Sequence, residues 1–351
     1  MSNWRERIGT PFCGKEREEL VDFLREQDLD YDEQINYTVV LLDDDQIIAT
    51  GSSCGNILKC IAVSPDYQGQ NLMGTIMTNL ISHLYENGIT HFFGFTKPKN
   101  KEIFCNMGLY PIAETKNILL LENRRNGLKK YIEKLKKETK TAMNLGKANE
   151  AGREIGAIIA NCNPFTLGHR YLIEQAAKEC EWLHIFILSE EQTFLTTRER
   201  YELVKKGVAD ISNIILHQTS DYLISPVVFP TYFIKDKVNA FTMNCKLDIQ
   251  IFCENIANEL GITRRFVGSE PACAVTSQYN LCLKQELPRN GIMVTELERK
   301  AINGAVISAS AVRKYIKNGQ FEPLEKMLSK EVLQYLKGRY ENGEGERSFN
   351  L

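Results

Sequence analysis

Thr166, Gly168 and His169 lie in the segment Asn161-Cys162-Asn163-Pro164-Phe165-Thr166-Leu167-Gly168-His169, between an apolar run and a run with helical spacing. Those residue types suit phosphate chemistry. Free backbone N–H groups and the dipole at a helix N-terminus favour an anion. A glycine lets a phosphate approach the main chain, and an imidazole beside it adds a donor. Toward the other end of the chain, Ile307-Ser308-Ala309-Ser310-Ala311-Val312-Arg313 sets two hydroxyls and an arginine at the start of another helix, a second grip for phosphate. Each segment alone has a plainer reading, as ordinary helix capping or as an N-cap with a solvated arginine. Found together and in order on a strand–helix background, they favour the joint reading. A P-loop is excluded, because Gly14-Lys15 and Gly146-Lys147 lack the preceding glycine spacing and the following Ser or Thr.

The elements that must position these groups follow from hydrophobic spacing. Residues 155–160 form a short apolar run of buried-strand type, and Leu172, Ile173, Ala176 and Ala177 mark the helix after it. Further strands are expected at 183–188, 213–217, 265–267 and 292–294, with helices at 248–260, 279–287, after a Thr197 cap, and after Ser308 and Ser329. This alternation predicts a Rossmann-like, doubly wound α/β sheet over 153–345, with ligands at the carboxyl ends of its strands. The tail 341–351 is expected to be disordered.

Residues 1–122 read as a separate α+β unit. An acidic helix over 16–26 precedes a hairpin, 37–42 and 46–50, turning on Asp43-Asp44-Asp45. A strand at 57–63 leads through Gln68-Gly69-Gln70-Asn71-Leu72-Met73-Gly74 into a helix carrying Ile76, Met77, Leu80, Ile81 and Leu84. A strand at 90–95 and a helix ending at Gly108 follow. Residues 123–152 are a basic linker helix. Its segment 124–140 holds eight Lys or Arg against Glu133 and Glu138, with an apolar stripe of Leu128, Tyr131, Ile132 and Leu135. It is either a solvated surface helix or a docking surface for an acidic partner protein.

At 351 residues the chain suits two domains, and 43% apolar with 25% charged residues is a globular composition. A net charge of −2 argues against nucleic acid or an anionic membrane as partner. No apolar run approaches the roughly 20 residues that span a bilayer, and the first residues carry no signal core; a cytoplasmic protein is expected. The ten cysteines are scattered without a C-x-x-C pair and read as buried free thiols. Cys162, inside the phosphate turn, is read as a packing residue rather than a nucleophile. His83, His91 and His184 read as packing or surface residues, while His217 stays open.

Thr166-x-Gly168-His169 and Ile307-Ser308-Ala309-Ser310-x-x-Arg313 together resemble the HxGH nucleotidylyltransferase superfamily. The resemblance implies ATP held for attack on its α-phosphorus, with Mg²⁺ on the triphosphate and no metal site of the protein's own. His169 and Thr166 take the catalytic positions, Thr166 standing where many members carry a first histidine. Asn163, Phe165, Gly168, Ser308, Ser310 and Arg313 fall in the ATP site. Arg198 is a further phosphate candidate, and Gly268, in Gly268-Ser269-Glu270-Pro271, lies either in a turn beside the adenosine or in a plain turn. The first 122 residues resemble the GNAT acyltransferase fold, which makes Gln68, Gly69 and Gly74 candidates for holding a pantetheine or CoA-like arm. Asn71 and Met73 depart from that family's glycines.

The pairing of these two units, with Phe266 to Pro271 and Tyr279-Asn280, resembles the citrate lyase ligase family. That resemblance implies ATP-dependent acetylation, by way of acetyl-adenylate, of the dephospho-CoA-like thiol on the acyl carrier subunit of citrate lyase. An adenylyltransferase acting on a phosphorylated cofactor precursor, and a non-catalytic nucleotide or acyl-CoA sensor, remain open alternatives.

Overall fold

The computed structural model describes residues 4–150, 152–189, 194–217, 220–223, 230–236, 239–270, 273–302 and 305–342. The expected disordered tail lies, beyond residue 342, outside the described residues. The chain divides into two compact units, one of residues 1–128 with 228–247, the other of 129–227 with 248–351.

The first unit is a seven-stranded sheet in the order β1-β2-β3-β4-β5-β7-β6. Its strands are β1 (Arg5–Gly9), β2 (Tyr37–Asp43), β3 (Gln46–Cys54), β4 (Ile57–Val63), β5 (Phe93–Thr96), β6 (Tyr110–Glu114) and β7 (Leu119–Glu122). Its helices are α1 (Gly14–Glu26), α2 (Leu72–Glu86) and α3 (Lys101–Asn106). The hairpin turns on Asp44 and Asp45, both at positive φ (45° and 69°), a region aspartate tolerates better than most residues. The apolar stripe of α2, with Ile76, Met77, Leu80 and Leu84, buries against β2, β3 and β4. β4 and β5 pair in parallel only at Ile57–Phe93 and Leu58–Gly94, and beyond that point the two strands part.

Three strands of this sheet are not expected from the sequence. β1 reads Arg-Glu-Arg-Ile-Gly and shows no apolar alternation, and the short β6 and β7 close the far side of the sheet. The pairing of β1 and β6 comes from neighbouring strands rather than from their own pattern, whereas β7 carries the buried apolar run Ile118 to Leu121 that marks a strand.

The second unit is a five-stranded parallel sheet in the order β10-β9-β8-β11-β12, the doubly wound arrangement. Its strands are β8 (Ile155–Ala160), β9 (Trp182–Ile187), β10 (Ile214–His217), β11 (Arg264–Gly268) and β12 (Met293–Leu297). A small hairpin of β13 (Ala301–Ile302) and β14 (Ala305–Val306) follows. One face packs on α5 (Leu167–Glu179), α6 (Thr197–Gly207), α10 (Ala309–Lys317) and α11 (Lys330–Glu341) around Ile158, Leu183, Ile185 and Phe266. The other helices of this unit are α4 (Gly127–Leu145), α8 (Asn258–Leu260) and α9 (Ala274–Glu286); α7 (Ala240–Ile251) belongs to the first unit up to Leu247 and continues through a π-helical stretch at 252–257 into α8. Thr196, not Thr197, caps α6.

The division differs from the three consecutive blocks expected. The basic linker is helix α4, part of the second unit from Lys129 on. The segment bounded by 228 and 247 packs in the first unit. Tyr232, Phe233 and Ile234 explain this: each is buried, the Tyr232 hydroxyl donates to the Phe95 carbonyl at 3.2 Å, and its own carbonyl accepts from Asp30 N–H at 2.8 Å.

Candidate active site

Helix α5 opens on a capping box. Thr166 is extended at the N-cap (φ −111°, ψ 166°), and its Oγ1 accepts from the His169 backbone N–H at 3.3 Å. The ring of His169 folds back, so that its Nδ1 lies 3.1 Å from the Thr166 N–H and 2.9 Å from the Thr166 hydroxyl. A backbone N–H can only donate, so Nδ1 is the acceptor and the imidazole proton sits on Nε2. Burial, with a smaller push from the Arg299 guanidinium, lowers the His169 pKa to about 4. His169 as a residue is half-buried, yet the surroundings of its ring are those of the interior. At neutral pH the site holds an uncharged imidazole that offers one Nε2–H donor.

The second segment closes over the first. A Cβ placed on Gly168 would stand 3.1 Å from the Ile307 carbonyl oxygen and 3.4 Å from Thr166 Oγ1, so only a glycine lets the two backbones approach without strain. Arg313, one turn into α10, donates from Nη1 to the Asn163 carbonyl at 2.5 Å and from Nη2 to Ser310 Oγ at 3.2 Å. Ser308 caps α10, its Oγ accepting from Ala311 N–H at 3.1 Å. Residues about 150 positions apart, Asn163 and Arg313, thus share one hydrogen bond.

Other expected residues hold the frame. Asn163 is buried, and its Oδ1 accepts from Leu195 N–H at 3.0 Å. Phe165 is buried against Gly207, where a Cβ would come within 2.3 Å of its ring, and it lies parallel to the His169 ring at 6.1 Å. Gly268 ends β11, and its carbonyl accepts from Asn280 Nδ2 at 2.9 Å. Of the Gly268–Pro271 turn, Pro271 lies outside the described residues. Cys162 is buried at φ 50°, and burial pushes its thiol up to about 12; a thiol this reluctant to ionise packs rather than attacks.

Arg198 is exposed at the start of α6 and has no described bond to these groups. The buried arginine there is Arg200, which donates to the Asn161 carbonyl and the Leu188 carbonyl, both at 2.9 Å, and so ties the ends of β8 and β9 together. Sequence reasoning also passed over Arg299. It stands 3.9 Å from where a Gly268 Cβ would be, is close enough to His169 to disfavour its protonation, and is paired with Glu270. The stretch Glu298-Arg299-Lys300 reads as a charged loop, and only the fold brings it to the carboxyl ends of the strands.

By sequence His184 is a packing or surface residue and His217 is open. They form a buried pair, His184 Nδ1 to His217 Nε2 at 2.7 Å, with His217 Nδ1 facing Glu138 of α4 at 3.0 Å. The described residues contain no group of three or more His, Cys, Asp or Glu side chains able to hold a metal ion. None of their helices is long and apolar enough to cross a membrane.

In the first unit, the parting of β4 from β5 opens a cleft of about 600 Å³. Gln68 and Gly69 line it, with Ile61 to Val63, Met73 and Tyr232. Gly74 does not. Asn71 caps α2 in the left-handed region (φ 59°), and its Oδ1 would meet a Gly74 Cβ at 2.5 Å; the glycine makes room for that side chain.

A family model described as citrate lyase ligase C-terminal domain matches residues 155–336, from the first residue of β8 into α11, and so takes in both phosphate-type segments. The [citrate [pro-3S]-lyase] ligase of Klebsiella pneumoniae is 37% identical over 92% of this chain and 93% of its own length. The chain belongs to the citrate lyase ligase family. As a member of the citrate lyase ligase family, it is an enzyme of the ligase class. Phosphopantetheine adenylyltransferase of Staphylococcus carnosus is 38% identical over 65 residues, 18% of this chain and 40% of its own. An acyl-CoA N-acyltransferase structure from Pseudomonas aeruginosa is similar at a TM-score of 0.31 and 12% identity, covering 35% of this chain and 99% of that one.

Proposed function

We propose that the chain joins acetate to the thiol of the dephospho-CoA-like group on the acyl carrier subunit of citrate lyase, driven by ATP, and so activates that enzyme. The observation that carries this reading is the Arg313–Asn163 bond, which draws the hydroxyl-rich start of α10 onto the turn that orients His169. A carboxylate oxygen of acetate attacks the α-phosphorus, the bond to the β-phosphate breaks, and pyrophosphate leaves. The carrier thiol then attacks the acetyl carbon of the adenylate, AMP leaves with the bonding electrons, and the thiol proton passes to solvent.

In this reading His169 Nε2–H donates to an α-phosphate oxygen as charge builds, a contact worth about 3–4 kcal/mol in comparable sites. Thr166 orients that ring, its hydroxyl already being committed to Nδ1. Arg313, Ser308 and Ser310 hold the β- and γ-phosphates and the leaving pyrophosphate. Arg299 is a further cation for the phosphates once it leaves Glu270. Mg²⁺ travels with the triphosphate, held by phosphate oxygens and water. The need for ATP and a reduced thiol suits the cytoplasm. The cleft beside Gln68 and Gly69 holds the pantetheine arm, a narrow chain whose two amides can bond the strand edges that β4 and β5 leave open. Ile103→Trp, at the cleft mouth of the full-length chain, should weaken binding of dephospho-CoA in calorimetry; unchanged binding removes the cleft from the reading.

Mass spectrometry of the carrier subunit incubated with ATP, Mg²⁺, acetate and this protein tests the whole: a gain of one acetyl group is expected. The short match to a phosphopantetheine adenylyltransferase favours a second reading, transfer of AMP to a phosphomonoester. Pyrophosphate release with phosphomonoesters but not with acetate selects it.

A further inference from the structure

Helix α4 carries its charge in an ordered way. With 3.6 residues per turn, Lys129, Lys130, Lys137 and Lys140 fall within about 100° of arc, along about 16 Å of helix. Tyr131, Ile132 and Leu135 fall on the opposite side and are buried in the second unit. The flanking lysines are neutralised: Lys134 pairs with Glu138 at 3.7 Å and Lys136 with Glu259 at 2.6 Å. The four ridge lysines are exposed and meet no carboxylate among the described residues. Of the two acidic residues on this stretch, Glu138 turns inward to His217, and only Glu133 interrupts the ridge.

The direction of α4 is also fixed. Its N-terminal Tyr131 stacks on Tyr222, which follows β10, with ring centroids 5.2 Å apart. Past its C-terminus, Lys147 N–H donates to the carbonyl of Ser212, which precedes β10, at 3.1 Å. The helix therefore runs antiparallel to β10, and Lys129 and Lys130 lie toward the carboxyl ends of the strands. His169 lies at that same end, because α5 follows β8.

We infer that this lysine ridge is the docking surface for the carboxylate-bearing face of an acidic protein partner, one whose thiol arm is presented at the carboxyl ends of the strands. The inference rests on the proposed function, which requires a carrier protein to approach that end. Between 129 and 140 every exposed side chain is a lysine except Glu133. No exposed aromatic on α4 offers the stacking that single-stranded nucleic acid uses, and its one large exposed apolar side chain, Leu145 at the C-terminal end beyond the ridge, is far less than the apolar face that an interfacial helix buries in a bilayer. A ridge of unpaired ammonium groups attracts carboxylates over about a Debye length, near 8 Å at physiological salt, and steers encounter more than it adds contact energy.

The test is binding of the carrier subunit of citrate lyase to the full-length protein, by calorimetry at two salt concentrations. The variant combining Lys129→Glu, Lys130→Glu, Lys137→Glu and Lys140→Glu should bind on the order of tenfold or more weakly while keeping acetate-dependent ATP–pyrophosphate exchange. Glu133→Lys should bind more tightly, and the wild-type affinity should fall as salt rises. Equal carrier affinity in wild type and the fourfold variant overturns the inference. So does a wild-type protein whose ridge binds RNA or anionic vesicles but not the carrier. Because binding is read without turnover, lysine-dependent binding with no acetyl gain would leave the ridge standing and reject only the chemistry.

Discussion

Thr166 gives His169 two hydrogen bonds on one atom: Nδ1 accepts from the Thr166 backbone N–H at 3.1 Å and from its hydroxyl at 2.9 Å. The arrangement both starts α5 and selects the tautomer with its proton on Nε2. Thr166→Val keeps the shape and the backbone donor but removes the hydroxyl. It should cost about 1 kcal/mol of stability through the lost cap and lower kcat more than it raises KM for ATP, whereas Thr166→Ser should restore both. Equal kcat in the valine variant and wild type would reject the orienting role.

His169→Ala should lower turnover about 100- to 1000-fold, the usual consequence of losing one donor to a developing oxyanion. ATP affinity, measured by equilibrium binding, should change little. A variant that loses affinity in proportion to rate would place the imidazole in ground-state binding instead.

Gly168→Ala introduces a methyl 3.1 Å from the Ile307 carbonyl oxygen. Relief requires the two segments to separate by a few tenths of an ångström, and overpacking of this kind costs about 1–3 kcal/mol. Thermal melting should show the loss, and KM for ATP should rise because the segment carrying Ser308, Ser310 and Arg313 moves with Ile307.

Arg313 bonds the Asn163 carbonyl and Ser310 Oγ from two different nitrogens. A lysine has one ammonium and cannot reproduce that fork. Arg313→Lys should raise KM for ATP about tenfold or more in pyrophosphate exchange, although the charge is kept. A silent substitution would mean that charge alone matters there.

Three imidazoles, those of His169, His184 and His217, are held below their ordinary pKa chiefly by burial, His169 at about 4. In the unfolded chain they titrate near 6.5. As pH falls from about 6.5 toward 4, the unfolded chain takes up protons that the folded chain refuses, and stability drops through that window. Asp248, raised to about 6 by burial, works in the opposite sense, its contribution being lost as pH rises through about 6. With three groups against one, the urea midpoint should be lower at pH 5 than at pH 7.5. Protonation of His169 itself should not limit turnover until the pH approaches 4.

The parallel sheet of the second unit was legible because its central strands β8 and β9 are nearly continuous apolar runs and apolar residues mark the shorter strands beside them. The two helix starts at Thr166 and Ser308 were legible from their capping residues, and their meeting in space was suggested only by their joint occurrence, since each alone also reads as ordinary capping. What escaped depends on contacts distant in sequence. β1 is a strand only because β2 lies beside it, Tyr232 belongs to the first unit only because Phe95 accepts its hydroxyl, and Arg299 reaches the site only through the fold of the loop after β12. Thr166 was placed in a catalytic position, and that its hydroxyl turns to the imidazole is set by the helix start rather than by residue type. Gly74 was expected to face a ligand and instead yields space to Asn71, an outcome that needs the left-handed backbone at Asn71 to be known.

The return of the chain to the first unit at residues 230–247 bears on how the protein is made. A ribosome has released the seven strands of that sheet once residue 122 has emerged, yet the tyrosine that lines the cleft arrives about 110 residues later. At about 5–20 residues per second, the nascent sheet waits several seconds or more with that wall missing, while the first strands of the second unit are already emerging. A cut between the units made at any single peptide bond would strand one piece of the first unit on the wrong fragment.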